Sequence, residues 1–402
     1  MTLLKNLCTK IGSGATPRGG KDSYKSEGTS IFRSQNILDW RFSKSGLAFI
    51  DDMQARKLEN VSVQMGDILL NITGESVARA CTAPCNLLPA RVNQHVCIVR
   101  PDRAVLDSDY LLCVLLSMKQ QLLKLASSGA TRQALTKEMI ENIEIDLPIL
   151  SRQKEIVSPL VAIQREIDVL NRTNGYLAEY LWLQYDQYSK SCDRQICLGE
   201  MAEVIDCLHS KKPARHSDGK QLLQLDNIRD DGLLDVYRLK YFISDVDYYH
   251  WISRCEARQG DCVITNVGRV GAASQVPESV TAALGRNMTC VRPLSSRNYP
   301  TLLVATLTSP DMKQEIDSKT DSGTIMNALN VRNIPKLLVP FDSDGRALQF
   351  EEELRPIQRF REFLLKEEYL LASLRDALLP KLMSGEIDVS KVDVAQPNYH
   401  LH

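Results

Sequence analysis

The sequence predicts an α+β protein. Two similar mixed α/β domains are expected, separated by two long antiparallel coiled-coil helices and related by a pseudo-two-fold internal repeat. Two observations predict this fold. Apolar residues recur at steps of three and four through two long segments, 151–188 and 350–383. Short motifs from the first half of the chain also return in the same order in the second half. The predicted boundaries are 1–150 for the first domain, 151–190 for the central helix, 191–349 for the second domain, 350–386 for the C-terminal helix and 387–402 for a solvated tail.

The two helical segments carry matching apolar seams. Each has a proline near its start, Pro159 and Pro356, and laying one proline on the other superimposes the seams. Asn174 and Glu367 interrupt the seams and are predicted to fix the register of the pairing. We expect the two helices to pack on each other through Ile156, Leu160, Ile163, Ile167, Leu170, Leu177, Leu181, Ile357, Phe360, Leu364, Leu371, Leu374 and Leu378.

The first domain has the pattern of a strand-rich unit. A glycine-rich loop at 12–20 is followed by short β-like runs, which are predicted at 30–32, 47–50, 67–72 and 96–100. An amphipathic helix is expected at 109–125 with Ser108 as its cap, and a short helix at 136–143. The chain then passes through Pro148 into the central helix.

The second domain repeats this order with an offset of about 191 to 197 residues. A period this long indicates duplication of a whole domain with its helix, not a solenoid. Two features are not repeated: the second loop, 207–215, lacks the glycines, and Gln153 has no counterpart at 351–353. The repeated motifs are Gly66-Asp67-Ile68-Leu69 with Gly260-Asp261-Cys262-Val263, Val99-Arg100-Pro101 with Val291-Arg292-Pro293, Gln35-Asn36-Ile37 with Asp226-Asn227-Ile228, and Ser128-Gly129 with Ser322-Gly323.

The composition is that of a globular protein. The chain has 402 residues, 44% of them hydrophobic, and a formal net charge of −1. It contains no apolar run long enough to span a membrane and no signal-peptide pattern, so a cytoplasmic protein is expected. The eleven cysteines are scattered and are predicted to be reduced thiols. The near-neutral charge is not the positive excess typical of a small DNA-coating domain.

Several motifs, in their order along the chain, resemble one known family. They are Thr16-Pro17 after the glycine-rich loop, Gly66-Asp67-Ile68-Leu69, Leu147-Pro148 followed by Gln153, and Leu374-Arg375-Asp376-Ala377-Leu378-Leu379-Pro380-Lys381-Leu382 with Ser384-Gly385-Glu386-Ile387. With the two-fold repeat, these motifs make the chain similar to the DNA-specificity subunit of type I restriction–modification enzymes. The resemblance implies two target-recognition domains, two spacer helices, and a bipartite DNA site of two short half-sequences around a nonspecific gap.

The same resemblance implies the partners. These are double-stranded DNA, two methyltransferase subunits and the restriction or translocase subunits, with no membrane. It implies that this chain binds no cofactor, and that S-adenosylmethionine, ATP and magnesium are bound only in partner subunits. The helix length fits a DNA partner, because about 30 helical residues span about 45 Å and one turn of B-DNA is roughly 34 Å.

Catalytic motifs are missing from the sequence. There is no Asn-Pro-Pro-Tyr-type tetrapeptide of an amino-methyltransferase and no GxxxxGK[ST] phosphate loop. The spacing of Cys81, Cys85, His95 and Cys97 permits a zinc site, but small buried residues around strands are favoured. We therefore predict a non-catalytic DNA reader. An adaptor that holds proteins at a fixed distance without DNA, and an enzyme with unrecognised chemistry, remain alternatives.

Residues that read DNA are expected on loops, because arginine recognises guanine and asparagine or glutamine recognises adenine, while other basic side chains hold phosphates. Arg132 and Gln133 have a competing structural role, since their loop precedes the helix. The candidates in the first domain are Arg18, Lys21, Arg33, Gln35, Arg41, Lys44, Thr73, Glu75, Arg79, Arg91, Asn93 and Gln94. The candidates in the second domain are Lys211, Lys212, Arg215, Lys220, Asn227, Arg229, Thr265, Asn266, Arg269, Arg286 and Asn287.

Aromatic side chains lie off the central stripe of the two helices. Aromatic residues are enriched in protein interfaces, so this face is predicted to bind methyltransferase subunits. Contact with the chain's own domains is the alternative. The residues are Tyr180, Trp182, Tyr185, Tyr188, Phe363 and Tyr369.

Overall fold

The computed structural model describes residues 1–17, 23–127, 133–238, 240–321, 327–342 and 344–389. The chain forms two compact units. Unit 1 comprises Met1–Glu166 together with the chain from Ala372 onward, and unit 2 comprises Ile167–Leu371. The predicted fold class is confirmed, since both units are mixed α/β bodies and two long helices are present. Each unit includes part of both long helices, so the finer boundaries drawn from the sequence stay a prediction.

Unit 1 contains the first strand-rich module. Its strands are β1 Thr2–Leu3, β2 Cys8–Ser13, β3 Thr29–Phe32, β4 Ala48–Ile50, β5 Ile68–Asn71, β6 Ala80–Thr82, β7 Ala90–Val92, β8 Val96–Pro101 and β9 Glu144–Ile145. Its helices are α1 Asp52–Lys57, α2 Ser108–Ser117, α3 Lys119–Ser127, α4 Lys137–Glu141 and the first part of α5 Leu150–Ser191. The four strand runs predicted for this domain are confirmed as β3, β4, β5 and β8.

Unit 2 contains the second module. Its strands are β10 Arg194–Cys197, β11 Ala202–Asp206, β12 Lys220–Leu223, β13 Gly232–Leu233, β14 Phe242–Ile243, β15 Glu256–Ala257, β16 Cys262–Thr265, β17 Ala273–Gln275, β18 Ala282–Leu284, β19 Met288–Pro293, β20 Thr320–Asp321, β21 Ala328–Leu329 and β22 Leu338–Phe341. Its helices are α6 Asp245–Trp251, α7 Pro300–Thr308, α8 Pro310–Ser318 and the first part of α9 Arg346–Met383.

The two units build a corresponding pair of sheets, and each sheet of unit 2 has one additional strand. The larger sheet has the strand order β2-β8-β5-β6 in unit 1 and β11-β19-β16-β17-β13 in unit 2. The smaller sheet is β4-β3-β7 in unit 1 and β14-β12-β18-β15 in unit 2. In each smaller sheet one pair is parallel, β3 with β7 and β12 with β18. The duplication predicted from short motifs therefore extends to sheet topology.

An ion pair explains why two of the motifs recur together. Arg100 donates from Nε and Nη2 to the two oxygens of Asp67, at 2.7 and 2.8 Å. Arg292 makes the same fork with Asp261, at 2.9 and 2.7 Å. Both carboxylates are buried, so each needs its guanidinium partner. The repeated Gly-Asp and Val-Arg-Pro motifs are thus the two halves of one buried contact.

The helix predicted at 109–125 differs in two ways. It is divided into α2 and α3, which meet at Met118. Its cap is Asp107, not Ser108: the Asp107 carboxylate accepts hydrogen bonds from the backbone N–H groups of Asp109 and Tyr110. The Ser108 hydroxyl donates instead to the carbonyl of Gly66 at 2.9 Å.

The long helices α5 and α9 pair antiparallel within each unit. In unit 1, Arg152 near the start of α5 pairs with Asp388 beyond the end of α9. Further along α5, Gln164 bonds Arg375. In unit 2 the side chains of Asn174 and Arg361 bond across the pair, and Tyr185 packs on Phe350. The predicted pairing is confirmed, and Asn174 does lie in the contact.

The predicted seam of α9 is wrong at two positions, Phe360 and Leu374. Phe360 and Leu374 are 46% and 48% exposed, whereas their neighbours Arg361 and Arg375 are buried. One residue turns a helix face by about 100°. The predicted offset came from matching two prolines, which set it one residue short. In α9, polar side chains occupy the buried positions that an apolar pattern cannot reveal: Gln358, Arg361, Glu368 and Arg375.

An offset of 198 residues between the two repeats aligns Glu351 with Gln153. Both side chains are fully buried, and both bind the start of a helix in their own module. Gln153 accepts from the N–H of Asp107, the cap of α2, at 2.8 Å. Glu351 accepts from the N–H groups of Thr301 and Leu302, at the start of α7. The expectation that Gln153 has no counterpart is therefore wrong.

No helix within the described residues is both long enough and apolar enough to cross a membrane. All eleven cysteines are free thiols. The remaining seam residues predicted for the helix pair are buried or half-buried, as expected for packing.

Candidate nucleic-acid interface

The 33–46 loop of unit 1 is built around a buried asparagine. The Asn36 carbonyl oxygen accepts from the N–H of Arg33 at 3.0 Å. Its amide donates to the carbonyls of Ser43 and Ser45 at 2.9 and 3.1 Å. These three bonds close the loop on itself. The closed loop leaves three predicted reading residues exposed, Gln35, Arg41 and Lys44.

A polar chain connects three other loops of unit 1. The Thr73 hydroxyl lies 2.6 Å from Nδ1 of His95, and Nε2 of His95 lies 3.0 Å from the Gln94 amide. The Thr16 hydroxyl bonds the Gln94 carbonyl oxygen. Thr16 comes from the glycine-rich loop, so the fold brings together loops that are about 78 residues apart in the chain. His95 carries the chain and was not among the predicted reading residues, because its role depends on a contact across 22 residues.

Basic and aromatic side chains are interleaved on unit 2. The Lys212 ammonium lies 4.2 Å from the ring centre of Tyr241, and the Arg215 guanidinium lies 5.9 Å from the same centre. Arg215 also donates to the carbonyl of Lys240 at 2.8 Å. Lys220 stands 5.7 Å from the ring of Tyr248. Cation–π contact holds these side chains while leaving them exposed to a partner.

The tip of the loop after β16 is occupied by Arg269. Its guanidinium pairs with Asp230 at 2.6 Å and donates to the carbonyl of Ile228 at 2.9 Å. Arg269 is exposed, but the Asp230 carboxylate competes for the same guanidinium. A phosphate or base would have to displace this exposed carboxylate to bind Arg269.

Five predicted reading residues have internal roles instead, because their side chains are buried and bonded within the fold. Asn227 repeats the role of Asn36: it accepts from the N–H of Gln224 and donates to the carbonyl of Asp235. Arg91 pairs with Glu59 at 2.7 Å. The five residues are Arg91, Asn93, Asn227, Thr265 and Asn266.

The bonds of the other three corrected residues explain their burial. The Asn93 carbonyl oxygen accepts from the N–H of His95 at 3.0 Å. The Thr265 hydroxyl accepts from the N–H of Ala272 at 3.1 Å. Asn266 accepts from the hydroxyl of Thr289 at 2.9 Å. These bonds shape the loops and use side-chain groups that were predicted to contact DNA.

The other predicted reading residues are at least partly exposed. The half-buried ones are Arg33, Thr73, Arg79, Arg229 and Asn287, and the exposed ones are Gln35, Arg41, Lys44, Glu75, Gln94, Lys211, Lys212, Arg215, Lys220, Arg269 and Arg286. Arg18, Lys21 and Arg132 lie outside the described residues. The exposed set contains both amides and cations, which is the mixture that reads base edges and holds phosphates.

Two sets of residues have side chains that can bind metals, one around Cys81 and one around Cys207. Cys81 and Cys97 are buried, and burial raises the pKa of the Cys97 thiol to about 12. His95 is bonded to Thr73 and Gln94, and Cys85 is exposed. Among the described residues, Asp206, Cys207 and His209 have ligand atoms within 4.8 Å of one another. Arg254 already bonds Asp206 at 3.4 Å, and this positive charge opposes a cation there.

Comparison with known proteins connects this geometry to one family. The family model described as type I restriction modification DNA specificity domain matches residues 4–177. The chain is 26% identical over 193 residues to the putative type I restriction enzyme MjaX specificity subunit of Methanocaldococcus jannaschii, and the alignment spans 44% of each protein. It is 21% identical over 363 residues to the type I restriction enzyme MjaVIII specificity subunit of the same organism, covering 83% of this chain and 82% of that one.

One solved structure shares the fold. It is the crystal structure of the S subunit of a type I restriction–modification system from M. genitalium. The TM-score is 0.55 at 15% identity, and the match covers 95% of both chains. The match therefore includes both modules and both long helices.

Proposed function

We propose that this chain is a specificity subunit of a type I restriction–modification system and that it reads a bipartite DNA sequence with one module for each half. The observation that carries the proposal is that one recognition module is built twice. The two units share the Asp–Arg fork, the buried asparagine turn and the order of the matched strands in both sheets. The exposed loop residues differ: Gln35 stands where the second module has Asp226. Two modules that share a framework and differ in their loops are suited to reading two different sequences.

The reading residues are proposed from their exposure. In unit 1 they are Gln35, Arg41, Lys44 and Gln94, and in unit 2 they are Lys211, Lys212, Arg215, Lys220 and Arg286. Glutamine and arginine would read base edges in the major groove, and the lysines would neutralise phosphates. The chain itself would perform no chemistry. S-adenosylmethionine, ATP and magnesium would be bound by partner subunits.

The exposed apolar face of the helices in unit 2 is proposed to bind methyltransferase subunits. Apolar side chains recur there at helical spacings of three, four and seven, and each is at least 44% exposed. The rings of Phe360 and Phe363 stack with centres 6.2 Å apart. A complementary amphipathic helix would complete such a face. The residues are Tyr176, Tyr180 and Leu183 on α5 with Phe360, Phe363 and Leu370 on α9.

Three aromatic residues predicted for that face pack inside the chain instead. Tyr185 and Tyr188 are buried against Phe350. Tyr369 stacks on Tyr237 with ring centres 5.7 Å apart. For these three the alternative interpretation, contact with the chain's own structure, is correct.

Genome-wide methylation mapping tests the proposed function. The chain would be expressed with its methyltransferase subunits in a host that lacks them, and modified adenines would be mapped. The expected result is one bipartite motif with a fixed gap. Replacing residues 1–150 with those of another family member should change one half of the motif and leave the other half unchanged. If methylation follows no motif, or if the exchange changes both halves, the proposal is wrong.

An adaptor that does not bind DNA is the second candidate, and the near-neutral net charge favours it. The two candidates predict different salt behaviour. A DNA reader in complex with its partners loses affinity for its site steeply as salt rises, because counterions are released on binding. An adaptor shows no site-specific retention at any salt concentration.

The proposed binding of methyltransferase subunits to the exposed apolar face of the helices in unit 2 can be tested separately. Phe363→Ser should weaken the binding of a methyltransferase subunit, measured by co-purification of the full-length chain. Val246→Ser is the matched control, because Val246 is 81% exposed on α6 of the same unit and lies outside the face. If both substitutions leave co-purification unchanged, the face does not bind that subunit.

A further inference from the structure

We propose that Arg375 and Arg361 are positioning residues, each of which fixes the DNA-facing loop of one recognition module on helix α9. The inference rests on the proposed function and adds residues that lie outside the loops themselves. Arg375 acts on the 33–46 loop in unit 1, and Arg361 acts on the 224–238 loop in unit 2.

In unit 1 the anchor is a cation–π contact. The Arg375 guanidinium lies 4.6 Å from the ring centre of Trp40, and the side chain is buried. Arg375 also bonds Gln164 of α5 and the carboxylate of Asp376. Trp40 itself has the left-handed backbone angle φ of 69°, and its N–H donates to the carbonyl of Ala80 at 3.0 Å. A tryptophan held in this strained conformation between the sheet and α9 fixes the middle of the loop.

In unit 2 the anchor is a set of hydrogen bonds. Arg361 is 3% exposed, and all of its guanidinium nitrogens have partners. Nη2 donates to the backbone carbonyl of Asp231 at 2.9 Å, Nη1 to Gln358 at 2.9 Å and Nε to Asn174 at 3.1 Å. The Asp231 carboxylate is held by Arg229 at 2.7 Å. Burial raises the pKa of Asp231, but Arg229 and Arg361 outweigh it and the net pKa is lowered.

The two anchored loop positions are equivalent in the duplication, although the two arginines are not: an offset of 198 residues aligns Arg375 with Leu177 and Arg361 with Ile163. Trp40 lies four residues after Asn36, and Asp231 lies four residues after Asn227. Asn36 and Asn227 end matched 3₁₀ turns, Ser34–Asn36 and Leu225–Asn227. The same point of each loop therefore meets a buried arginine of the same helix. The chemistry of the contact and the position of the arginine differ, but the anchored point of the loop is the same.

The cost of burying these arginines argues against a packing role. A leucine at either position would pack the helix pair without removing a charge from water, and buried charges cost several kcal/mol unless fully bonded. An arginine is favoured where a residue between the helices must also hold a loop, because a leucine can make neither a hydrogen bond nor a cation–π contact with that loop. The bonded loop is the one that exposes Gln35, Arg41 and Lys44 in unit 1 and Asp226 in unit 2.

Each anchor should affect the reading of one half-site only. The experiment uses Arg375→Met and Arg361→Met, which keep helix propensity and an unbranched side chain but remove the guanidinium. Lys366→Met is the control: it removes one positive charge from an exposed position of the same helix. Each chain would be assembled with its methyltransferase subunits, and methylation would be measured on a plasmid library with randomised half-sites.

The expected result is a loss of discrimination at one half-site. Arg375→Met should reduce the preference for the cognate base over a mismatch by roughly tenfold in one half, which is about the effect of one poorly read base pair. Arg361→Met should do the same in the other half. Lys366→Met should change neither. If both arginine variants affect both halves equally, or if both retain full discrimination, the inference is overturned.

A second pair of variants separates positioning from folding. Trp40→Phe keeps an aromatic face for Arg375 and should retain discrimination, whereas Trp40→Leu should reproduce the Arg375→Met profile. If Trp40→Leu and Trp40→Phe behave alike, the cation–π contact does not position the loop. A wild-type complex with no bipartite motif would refute the proposed function. If the wild-type complex methylates a bipartite motif and the arginine variants keep full discrimination, only this inference is refuted.

Discussion

The two units share a framework and differ in the charge of the groups that hold it. Both bury the same Asp–Arg fork, Asp67 with Arg100 and Asp261 with Arg292. At the position that caps the module's helix, unit 1 has the neutral Gln153 where unit 2 has Glu351. At another matched position, again 198 residues apart, Gln164 in unit 1 corresponds to Glu362 in unit 2. The two copies of the framework therefore keep corresponding contacts but differ in ionisable groups at these two positions.

The largest expected effect tests what is shared. Asp67→Asn and Asp261→Asn each remove a buried carboxylate and leave a half-buried guanidinium without its charged partner, which should lower the free energy of unfolding by about 3 kcal/mol. Hydrogen exchange in the full-length chain, resolved by peptide, should show the loss in the unit that carries the substitution. Asp218→Asn, at an exposed position, is the control. Clearly unequal losses in the two units would show that the two forks are not equivalent.

The next prediction concerns the pH dependence of stability, which tests the difference in ionisable groups between the two units. Burial, with a contribution from Glu278, raises the pKa of Glu362 to about 7, and Arg359 and Arg361 only partly oppose it. The folded chain therefore holds this proton more tightly than the unfolded chain, whose pKa is about 4.5. Stability contributed by the protonated group is complete below pH 4.5 and is lost as pH rises through about 7.

The expected loss from Glu362 is up to about 3 kcal/mol, from the shift in pKa. It should appear as faster hydrogen exchange in peptides of unit 2 between pH 5 and about 8, after correction for intrinsic exchange. Glu362→Gln makes unit 2 resemble unit 1 at this position and should remove the loss. A pH dependence that survives in the variant would assign it to another group.

Exchanging the residue types of Gln153 and Glu351, which bind the starts of α2 and α7, should have a smaller effect on stability. In unit 1 the Gln153 amide donates to the carbonyls of Val105 and Pro148, both at 2.8 Å. Gln153→Glu would place a carboxylate against these two carbonyls and should cost about 2 kcal/mol. Glu351→Gln keeps an acceptor for the N–H groups of α7 but removes the ion pair with the partly exposed Arg355 at 2.9 Å, and it should cost about 1 kcal/mol. Urea unfolding of the full-length chain measures both, and a larger cost for Glu351→Gln would reverse this assignment of roles.

The fold could be predicted from local patterns, but the site could only partly be predicted. Strand positions, both long helices and the duplication follow from periodicity and repeated motifs, which are local properties of the chain. The register of α9 was missed because Arg361 and Arg375 occupy buried positions that a hydrophobic pattern assigns to apolar residues. Asn227 and Thr265 were predicted to read DNA because their residue types do so, yet the same groups also satisfy buried backbone atoms. Only the folded chain distinguishes these two uses.

The smallest effect distinguishes reading from phosphate binding within one loop. Gln35 and Lys44 are both exposed on the 33–46 loop. Gln35→Ala should relax the base preference at one position of one half-site, by about 1 kcal/mol, and leave the other half unchanged. Lys44→Ala should weaken binding evenly across sequences and reduce the slope of log affinity against log salt by about 1.

Both variants would be measured in the complex with methyltransferase subunits, by DNA binding at several salt concentrations. If Gln35→Ala changes only the salt slope, Gln35 contacts phosphate and the base is read elsewhere in the module. Asp226 occupies the place of Gln35 in unit 2 and is exposed. A carboxylate repels phosphate and can accept a hydrogen bond from the amino group of cytosine. Asp226→Ala should therefore change the base preference of the other half-site without lowering the salt slope, which gives the two modules different rules of recognition on the same framework.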